Sequence, residues 1–231
     1  RGYMGRLGTA EIPILNGFSA HVVPRPPDWG PHVHLTGYWF PEDRTWQPPD
    51  DLRAFIEAGP PPVFVGLGSM PVRDPARTVQ IVVQALRQSG QRGIVHAGWG
   101  GLRAETLAPK VFAIDYAPYD WLFPRMAMVF HHGGSGTTAF ALRAGVPCCA
   151  LPMLFDQFMW GRRIAALGVG PEPIPFRRLT AARLTAAIER GVHDKEMRAA
   201  SAALGDRIRQ ERGIARAIDI VAAQGAGGAR A

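Results

Sequence analysis

A glycine-rich stretch with two histidines, HHGGSGTT from His131 to Thr138, carries the residues best suited to chemistry. It follows the apolar run MAMVF and precedes a helical pattern that ends at a glycine and a proline. When a strand leads directly into a helix, the first backbone N–H groups of the helix lack partners, and that end carries roughly half a positive charge. The stretch therefore predicts an anion site, where glycine lets a phosphate approach the backbone closely.

Within this loop, His132 would donate a hydrogen bond to the anion. The other members would either admit the phosphate or place a hydroxyl beside it: Gly133, Gly134, Gly136, Ser135, Thr137 and Thr138. The spacing matches neither the P-loop, which needs a lysine after its last glycine, nor the dinucleotide pattern GxGxxG. The alternative is a tight strand-to-helix turn in which glycine only permits packing.

A carboxylate and an amide, Asp156 and Gln157, follow the next predicted strand. Together they can accept hydrogen bonds from the vicinal hydroxyls of a sugar and donate to them. Taken alone, they fit a surface turn or a helix cap better than a sugar site. The adjacent histidines do not predict a metal site, because neighbours on a strand point to opposite faces and no cysteine or carboxylate completes a ligand set.

The elements that position these loops alternate between short apolar strands and helical patterns from Val63 onward. This alternation predicts an α/β fold with a doubly wound, Rossmann-like parallel sheet covered by helices on both faces. Ligands of such sheets bind at the carboxyl ends of the strands. Five sequence stretches are expected there: GLGSM, AGWGG, DYAPYD, HHGGSGTT and PMLFDQ.

The chain divides into four predicted parts. Residues 1–40 hold the extended-looking pieces AHVVPRP and HVHLTGYWF, and residues 41–62 form a proline-rich linker and domain entry with a short helix in DDLRAFIEAG. Residues 63–222 form the α/β domain. The tail, residues 223–231, is expected to be disordered.

Composition narrows the function classes. The 231 residues are 47% hydrophobic, enough for one large domain. The net charge of +7 does not indicate nucleic-acid binding, because only two basic residues are lysines and the arginines are scattered. Peripheral contact with an acidic membrane surface is an alternative, because two pairs of adjacent arginines could bind it: Arg162–Arg163 and Arg177–Arg178.

The expected compartment is the cytoplasm. The sequence has neither an apolar run long enough to cross a bilayer nor the layout of a signal peptide. Its two cysteines, Cys148 and Cys149, are adjacent and lie in a predicted buried strand. They exclude a disulfide framework and are expected to be small core residues.

The segment HHGGSGTTAFALRAGVPCCALPMLFDQFMWGRRIAALGVG resembles the donor-binding signature of the GT-B glycosyltransferases, which have two facing Rossmann-like domains. That family, glycosyltransferase family 1, includes UDP-glucuronosyltransferases, plant secondary-metabolite glucosyltransferases and antibiotic glycosyltransferases. The upstream stretches GFSAHVVPRPPDW, GYWF and PPPVFVGLGSM resemble the sterol 3-beta-glucosyltransferase branch. The resemblance covers nearly the whole chain and implies the C-terminal, donor-binding half of such an enzyme.

The resemblance also implies residue roles. His132 and Gly134 would contact the α-phosphate of the donor, Thr137 the β-phosphate, and Asp156 and Gln157 the sugar hydroxyls. Further donor contacts are implied for Ser69 on the first glycine-rich loop, Trp99, Ser135, Gly136, and Tyr116 as an aromatic platform for the base; an ordinary half-buried tyrosine is the alternative for Tyr116. Phe140 stands where plant members carry a ribose-binding glutamate, so ribose recognition is expected to differ and UDP and TDP both remain candidates.

The implied activity is inverting transfer of a hexose, expected to be glucose, from a UDP-sugar to a hydroxyl of a lipid-like acceptor such as a sterol, with no metal or other cofactor. The half that binds the acceptor and supplies the catalytic base does not fit in this chain, so residues 1–40 would be its last remnant. His21, His32 and His34 lie in the wrong context for that base. The isolated chain should bind the donor and be inactive, and it needs the missing half or a partner subunit. A non-catalytic nucleotide-sugar-binding subunit and a UDP-sugar epimerase of the same architecture are the alternatives.

Overall fold

The computed structural model describes residues 12–41, 45–68, 70, 72–96 and 110–228. The strands of this part are β1 (Ile14–Asn16), β2 (Val33–Leu35), β3 (Val63–Gly66), β4 (Gly93–His96), β5 (Val111–Ile114), β6 (Met128–His131) and β7 (Cys148–Ala150). Its α-helices are α1 (Asp50–Glu57), α2 (Pro75–Gln88), α3 (Tyr119–Leu122), α4 (Ser135–Ala144), α5 (Gln157–Ala166), α6 (Ala181–His193), α7 (Lys195–Gln210) and α8 (Gly213–Gly228). Short 3-10 turns cover Phe123–Arg125 and Phe176–Arg178.

Residues 42–205 form the larger of two compact units, and this unit contains a five-stranded sheet in the order β5-β4-β3-β6-β7. All neighbouring strands in it are parallel. From β3 the chain proceeds to β4 and β5 on one side, and then returns to place β6 and β7 on the other side. This order confirms the predicted doubly wound sheet and puts its topological switch point between β3 and β6.

The central strands form because their sequences are apolar on both faces, except for His131 at the end of β6. Every residue of β3 and of β6 is buried, as expected for parallel strands covered by helices on both sides. Helix α2 begins at Pro75, where the carboxylate of Asp74 accepts a hydrogen bond from the Arg77 N–H at 3.0 Å. Its buried apolar residues recur at helical spacing and belong to the main core: Val79, Val82 and Leu86.

The second unit combines the described residues of 12–41 with residues 206–228 and contains the parallel pair β1 and β2. Within it, the hydroxyl of Ser19 donates to a carboxylate oxygen of Glu211 at 2.6 Å. The division therefore differs from the expected one, because residues 206–222 group with the N-terminal stretch rather than with the α/β domain. The assignment of residues 1–40 to an acceptor domain stays a prediction.

Two local expectations differ from the structure. Helix α8 continues to Gly228, so residues 223–228 are helical where disorder was expected. The piece AHVVPRP contains a turn rather than an extended start, because the N–H groups of Val22 and Val23 both donate to the Ser19 carbonyl.

The cysteine prediction is confirmed. Cys148 and Cys149 are free, fully buried and adjacent in β7. Burial raises the pKa of the Cys148 thiol far above its ordinary value and that of Cys149 to about 12. Both side chains are therefore neutral, unreactive members of the core.

Candidate functional site

The candidate site lies at the switch point of the large sheet. There the carboxyl ends of β3 and β6 run side by side, with Gly66 opposite His131 in the parallel register. β6 continues into residues 132–134, named here the glycine loop, and then into α4. In doubly wound sheets the crossovers diverge at this point, and ligands bind in the crevice that they leave.

The buried side chain of His131 fixes the backbone of the glycine loop. Its side chain is fully buried, and its Nδ1 accepts a hydrogen bond from the Gly133 N–H at 3.1 Å. Burial, with a smaller contribution from His132, lowers the pKa of His131 to about 3. The ring is therefore neutral near pH 7 and acts as an acceptor that fixes the turn. The sequence analysis assigned His131 no role. The feature that could have indicated one is a histidine placed two residues before a glycine, where its ring can accept from the glycine N–H.

His132 lies in a slot between two backbone segments. A Cβ on Gly134 would overlap His132 Nε2, and a Cβ on Gly68 would come within 3.2 Å of His132 Cε1. Gly68 also has a φ of +60°, which favours glycine at that position. Among the described residues, the buried Nδ1 of His132 has no hydrogen-bond partner. Its ring is half-buried and held in place with hydrogen-bonding capacity to spare.

The start of α4 provides unpaired N–H groups beside this ring. Gly134 occupies the N-cap position, and no side chain caps this helix end. Ser135 and Gly136 are exposed, Thr137 is half-buried, and a Cβ on Gly136 would meet nothing within 4 Å. The space in front of the first turn is therefore open to an anion.

Thr138 departs from expectation. It is fully buried, and its hydroxyl donates to the Gly134 carbonyl at 2.9 Å. Because the threonine at the fourth helical position points back along its own helix, it offers no hydroxyl to a ligand.

Asp156 and Gln157 lie at the end of residues 153–157, named here the Asp–Gln turn. The side-chain oxygen of Gln157 accepts hydrogen bonds from the N–H groups of Met153 and Leu154 at 2.8 and 3.0 Å. A Cβ on Gly133, whose φ is +92°, would come within 2.9 Å of the Gln157 carbonyl oxygen. The turn and the glycine loop are therefore packed closely together, as the sequence prediction of a shared site requires.

The two side chains of this turn are not equally available. Gln157 is 7% exposed, and its amide nitrogen lies 3.5 Å from the Met70 sulfur, so the residue mainly holds the turn. Asp156 is exposed, and its Oδ2 accepts a hydrogen bond from the Trp160 indole at 3.0 Å. Its carboxylate raises the pKa of His132 against the larger lowering caused by burial.

Aromatic residues lie in the segment after the edge strand β5 and in α4. Tyr116 follows β5 and is 61% exposed, so it is neither buried nor half-buried. Tyr119 stacks on Phe123 with ring centroids 4.3 Å apart and meets Phe140 edge-on at 5.9 Å. Burial raises the pKa of the Tyr119 hydroxyl. Phe140, which stands where relatives were expected to carry an acid, thus belongs to an aromatic cluster.

His96, at the carboxyl end of β4, is a strand-end residue that sequence reasoning missed. Burial lowers its pKa, with an opposing effect from Asp115, and its buried Nδ1 has no hydrogen-bond partner among the described residues. The available signal was a histidine directly before AGWGG. Two predicted contacts, Ser69 and Trp99, lie outside the described residues.

The described site has groups that suit an anion. In the part of the chain that the structure describes, no three metal-ligating side chains cluster together. Helix N–H groups and a confined imidazole can stabilise negative charge that develops on a phosphate.

Within the part of the chain that the structure describes, none of the helices combines the length and apolar character that a membrane crossing requires.

Comparison of the sequence with models of known protein families shows which family this chain belongs to. The model for the erythromycin biosynthesis protein CIII-like C-terminal domain matches residues 94–212. The chain belongs to this family. Membership in the CIII-like family agrees with the glycosyltransferase resemblance predicted from the glycine loop and the Asp–Gln turn.

Curated relatives of this CIII-like chain include sterol glucosyltransferases. It is 43% identical to sterol 3-beta-glucosyltransferase UGT80B1 of Arabidopsis thaliana, over 91% of this chain and 34% of the plant protein. It is 36% identical to the sterol 3-beta-glucosyltransferase of Cryptococcus neoformans, over 91% of this chain and 15% of the fungal protein. The chain thus spans about a third of the plant relative's length.

Solved structures share the fold. The glycotransferase of kitacinnamycin aligns with a TM-score of 0.74 at 22% identity, covering 91% of this chain and 54% of that one. CalG4, the calicheamicin glycosyltransferase, aligns with a TM-score of 0.73 at 23% identity, covering 91% and 52%. VinC, solved in complex with dTDP, aligns with a TM-score of 0.61 at 23% identity, covering 76% and 44%. The predicted fold class, that of a GT-B glycosyltransferase domain, is confirmed.

Proposed function

We propose that this chain is the donor-binding part of an inverting glycosyltransferase that moves a hexose, glucose first among the candidates, from a UDP-sugar to a hydroxyl of a sterol-like acceptor. One observation carries the proposal: the confined ring of His132 lies beside the uncapped start of α4, at the switch point of the sheet. The named activity of the curated relatives supports the acceptor class.

The diphosphate would bind at the glycine loop. The N–H groups of Ser135, Gly136 and Thr137 face the open space in front of α4 and would donate to phosphate oxygens. His132 would add a hydrogen bond to the same group. These donors stabilise the diphosphate more strongly as it leaves and gains charge, and this difference accelerates the reaction.

The sugar would lie toward the Asp–Gln turn. Asp156 keeps an exposed carboxylate that can accept hydrogen bonds from sugar hydroxyls. The amide nitrogen of Gln157 carries two hydrogens, so it can donate to the sugar while it also contacts the Met70 sulfur. Attack by the acceptor oxygen forms a bond to the anomeric carbon while the bond to the diphosphate oxygen breaks on the opposite face. The acceptor proton passes to a general base.

The isolated chain should therefore bind the donor and turn over little. His131 is not placed as a general base, because its ring is fully buried and its Nδ1 accepts a hydrogen bond from the Gly133 N–H. A partner subunit or a further part of the polypeptide would supply that base. A non-catalytic nucleotide-sugar-binding subunit and an epimerase remain the alternatives.

Calorimetric titration with UDP, UDP-glucose and TDP tests the proposal. We expect UDP to bind, and His132→Ala to weaken binding by about 1.5 to 3 kcal/mol, the usual contribution of a hydrogen bond to a charged group. His21→Ala, at an exposed position of the other unit, is the matched control. Absence of binding to folded protein contradicts the proposal. Conversion of UDP-glucose to another UDP-hexose without acceptor would favour the epimerase.

A further inference from the structure

The Asp–Gln turn and the first turn of α5 carry an exposed apolar surface. Leu154, Phe155 and Met159, named here the apolar rim, are 48%, 89% and 41% exposed. By contrast, every residue of the central strands β3 and β6 in this unit is buried. Three large apolar side chains within six consecutive positions, beside a polar crevice, therefore need an explanation beyond folding.

Phe155 has an unfavourable backbone as well as an exposed ring. Its φ is +42°, and it is the only non-glycine among the described residues with a positive φ. A side chain in this region costs free energy that glycine would avoid. Burial does not compensate, because the ring is almost entirely exposed. A strained residue that gains nothing from packing is expected to be kept for a contact with another molecule.

The turn is held in this shape from inside the protein. The Gln157 side chain accepts hydrogen bonds from Met153 and Leu154, which fixes the backbone just before Phe155. On its other side the turn packs against Gly133 of the glycine loop. The rim is thus fixed next to the proposed donor site, with Phe155 one residue from the expected sugar contact Asp156.

We propose that the apolar rim binds the ring system of the hydrophobic acceptor, so that this chain takes part in acceptor recognition. The inference rests on the proposed function for the identity of that acceptor. A sterol presents a rigid apolar ring system with a single hydroxyl, and binding removes both apolar surfaces from water. The rim would hold those rings where the hydroxyl can point to the sugar beside Asp156.

Dehydroergosterol, a fluorescent sterol, is a suitable probe when delivered from cyclodextrin with and without saturating UDP. The informative variant is Phe155→Gly, which removes the ring and relieves the positive φ. We expect sterol affinity to fall at least fivefold, UDP affinity to stay unchanged, and the thermal midpoint to stay the same or rise. Ile218→Ser, at a 60% exposed position of α8, is the matched apolar control and should leave sterol affinity unchanged.

The outcomes separate the two proposals. The rim assignment is wrong if the wild-type chain binds UDP but not the sterol, or if Phe155→Gly binds the sterol as well as wild type. It is also wrong if Ile218→Ser weakens sterol binding equally, since binding is then nonspecific. Sterol binding that depends on Phe155 in a chain that does not bind UDP contradicts the donor-site proposal and leaves the rim assignment intact.

Discussion

The imidazole of His132 lies directly against the backbone of Gly134, so that even a methyl group on Gly134 would overlap Nε2 of the ring. The contact joins the residue that follows β6 to the N-cap residue of α4. It explains why glycine is needed at this position independently of backbone conformation, since Gly134 has an ordinary φ of -64°. The histidine and the glycine therefore act as one unit.

Gly134→Ala should displace His132 and weaken UDP binding about as much as His132→Ala does, roughly tenfold or more. The alanine methyl has no conflict once the imidazole is gone, so Gly134→Ala in the His132→Ala background should cost little further. Calorimetry on both single variants and the double variant completes a double-mutant cycle, which measures the coupling between the two residues. Additive losses would show that Gly134 contacts the nucleotide independently of His132.

UDP binding should take up a proton at His132. Burial lowers the pKa of this ring in the free protein, so it is neutral near pH 7, whereas a bound diphosphate favours the charged form. Affinity should therefore rise as the pH falls toward and below 6.5, more steeply in wild type than in His132→Ala. The test compares the pH dependence of UDP affinity in the two proteins, because the phosphate itself also titrates at about pH 6 and affects both of them equally. Parallel pH profiles would contradict this role.

His131 should make the protein sensitive to acid. Its folded pKa of about 3 lies below the ordinary 6.5, so the unfolded chain binds a proton that the folded chain does not. Stability from this group is full above pH 6.5 and falls as the pH drops toward 3.

His131→Asn keeps an acceptor for the Gly133 N–H but does not titrate. Between pH 6.5 and 5, wild type should lose about 1.6 kcal/mol more unfolding free energy than this variant in urea titrations. Equal losses in the two proteins would argue against a neutral buried histidine at position 131.

Gln157→Ala should destabilise the fold rather than act only on the ligand. It leaves the N–H groups of Met153 and Leu154 without their acceptor, which should cost about 1 to 3 kcal/mol in urea unfolding. Gln157→Glu retains an acceptor oxygen and should retain most of the stability. A fully stable alanine variant would mean that these bonds contribute nothing to the turn.

The sheet was predictable because its signal is local. The apolar runs of β3 and β6, the proline start of α2 and the glycine after β6 can each be read from a few adjacent residues. The anion site was predictable for the same reason, since a strand, a glycine loop and a helix start are contiguous in the chain.

Contacts between distant segments were not predictable in this way. The grouping of residues 206–228 with the N-terminal stretch depends on tertiary packing such as the bond from Ser19 to Glu211. The use of the Gln157 oxygen by its own turn, and of the Thr138 hydroxyl by its own helix, depends on backbone geometry that composition does not specify. Residue type showed which groups could bind a ligand, but the fold decides which remain free.

The most direct test of the central claim is a ¹H–¹⁵N chemical-shift titration of the chain with UDP. The account predicts that the largest amide shifts fall on residues 133–137, where the glycine loop meets the start of α4, and that they diminish in His132→Ala. Strong shifts confined to other strand ends, with residues 133–137 unmoved, would show that the nucleotide binds elsewhere and that the glycine loop is only a turn.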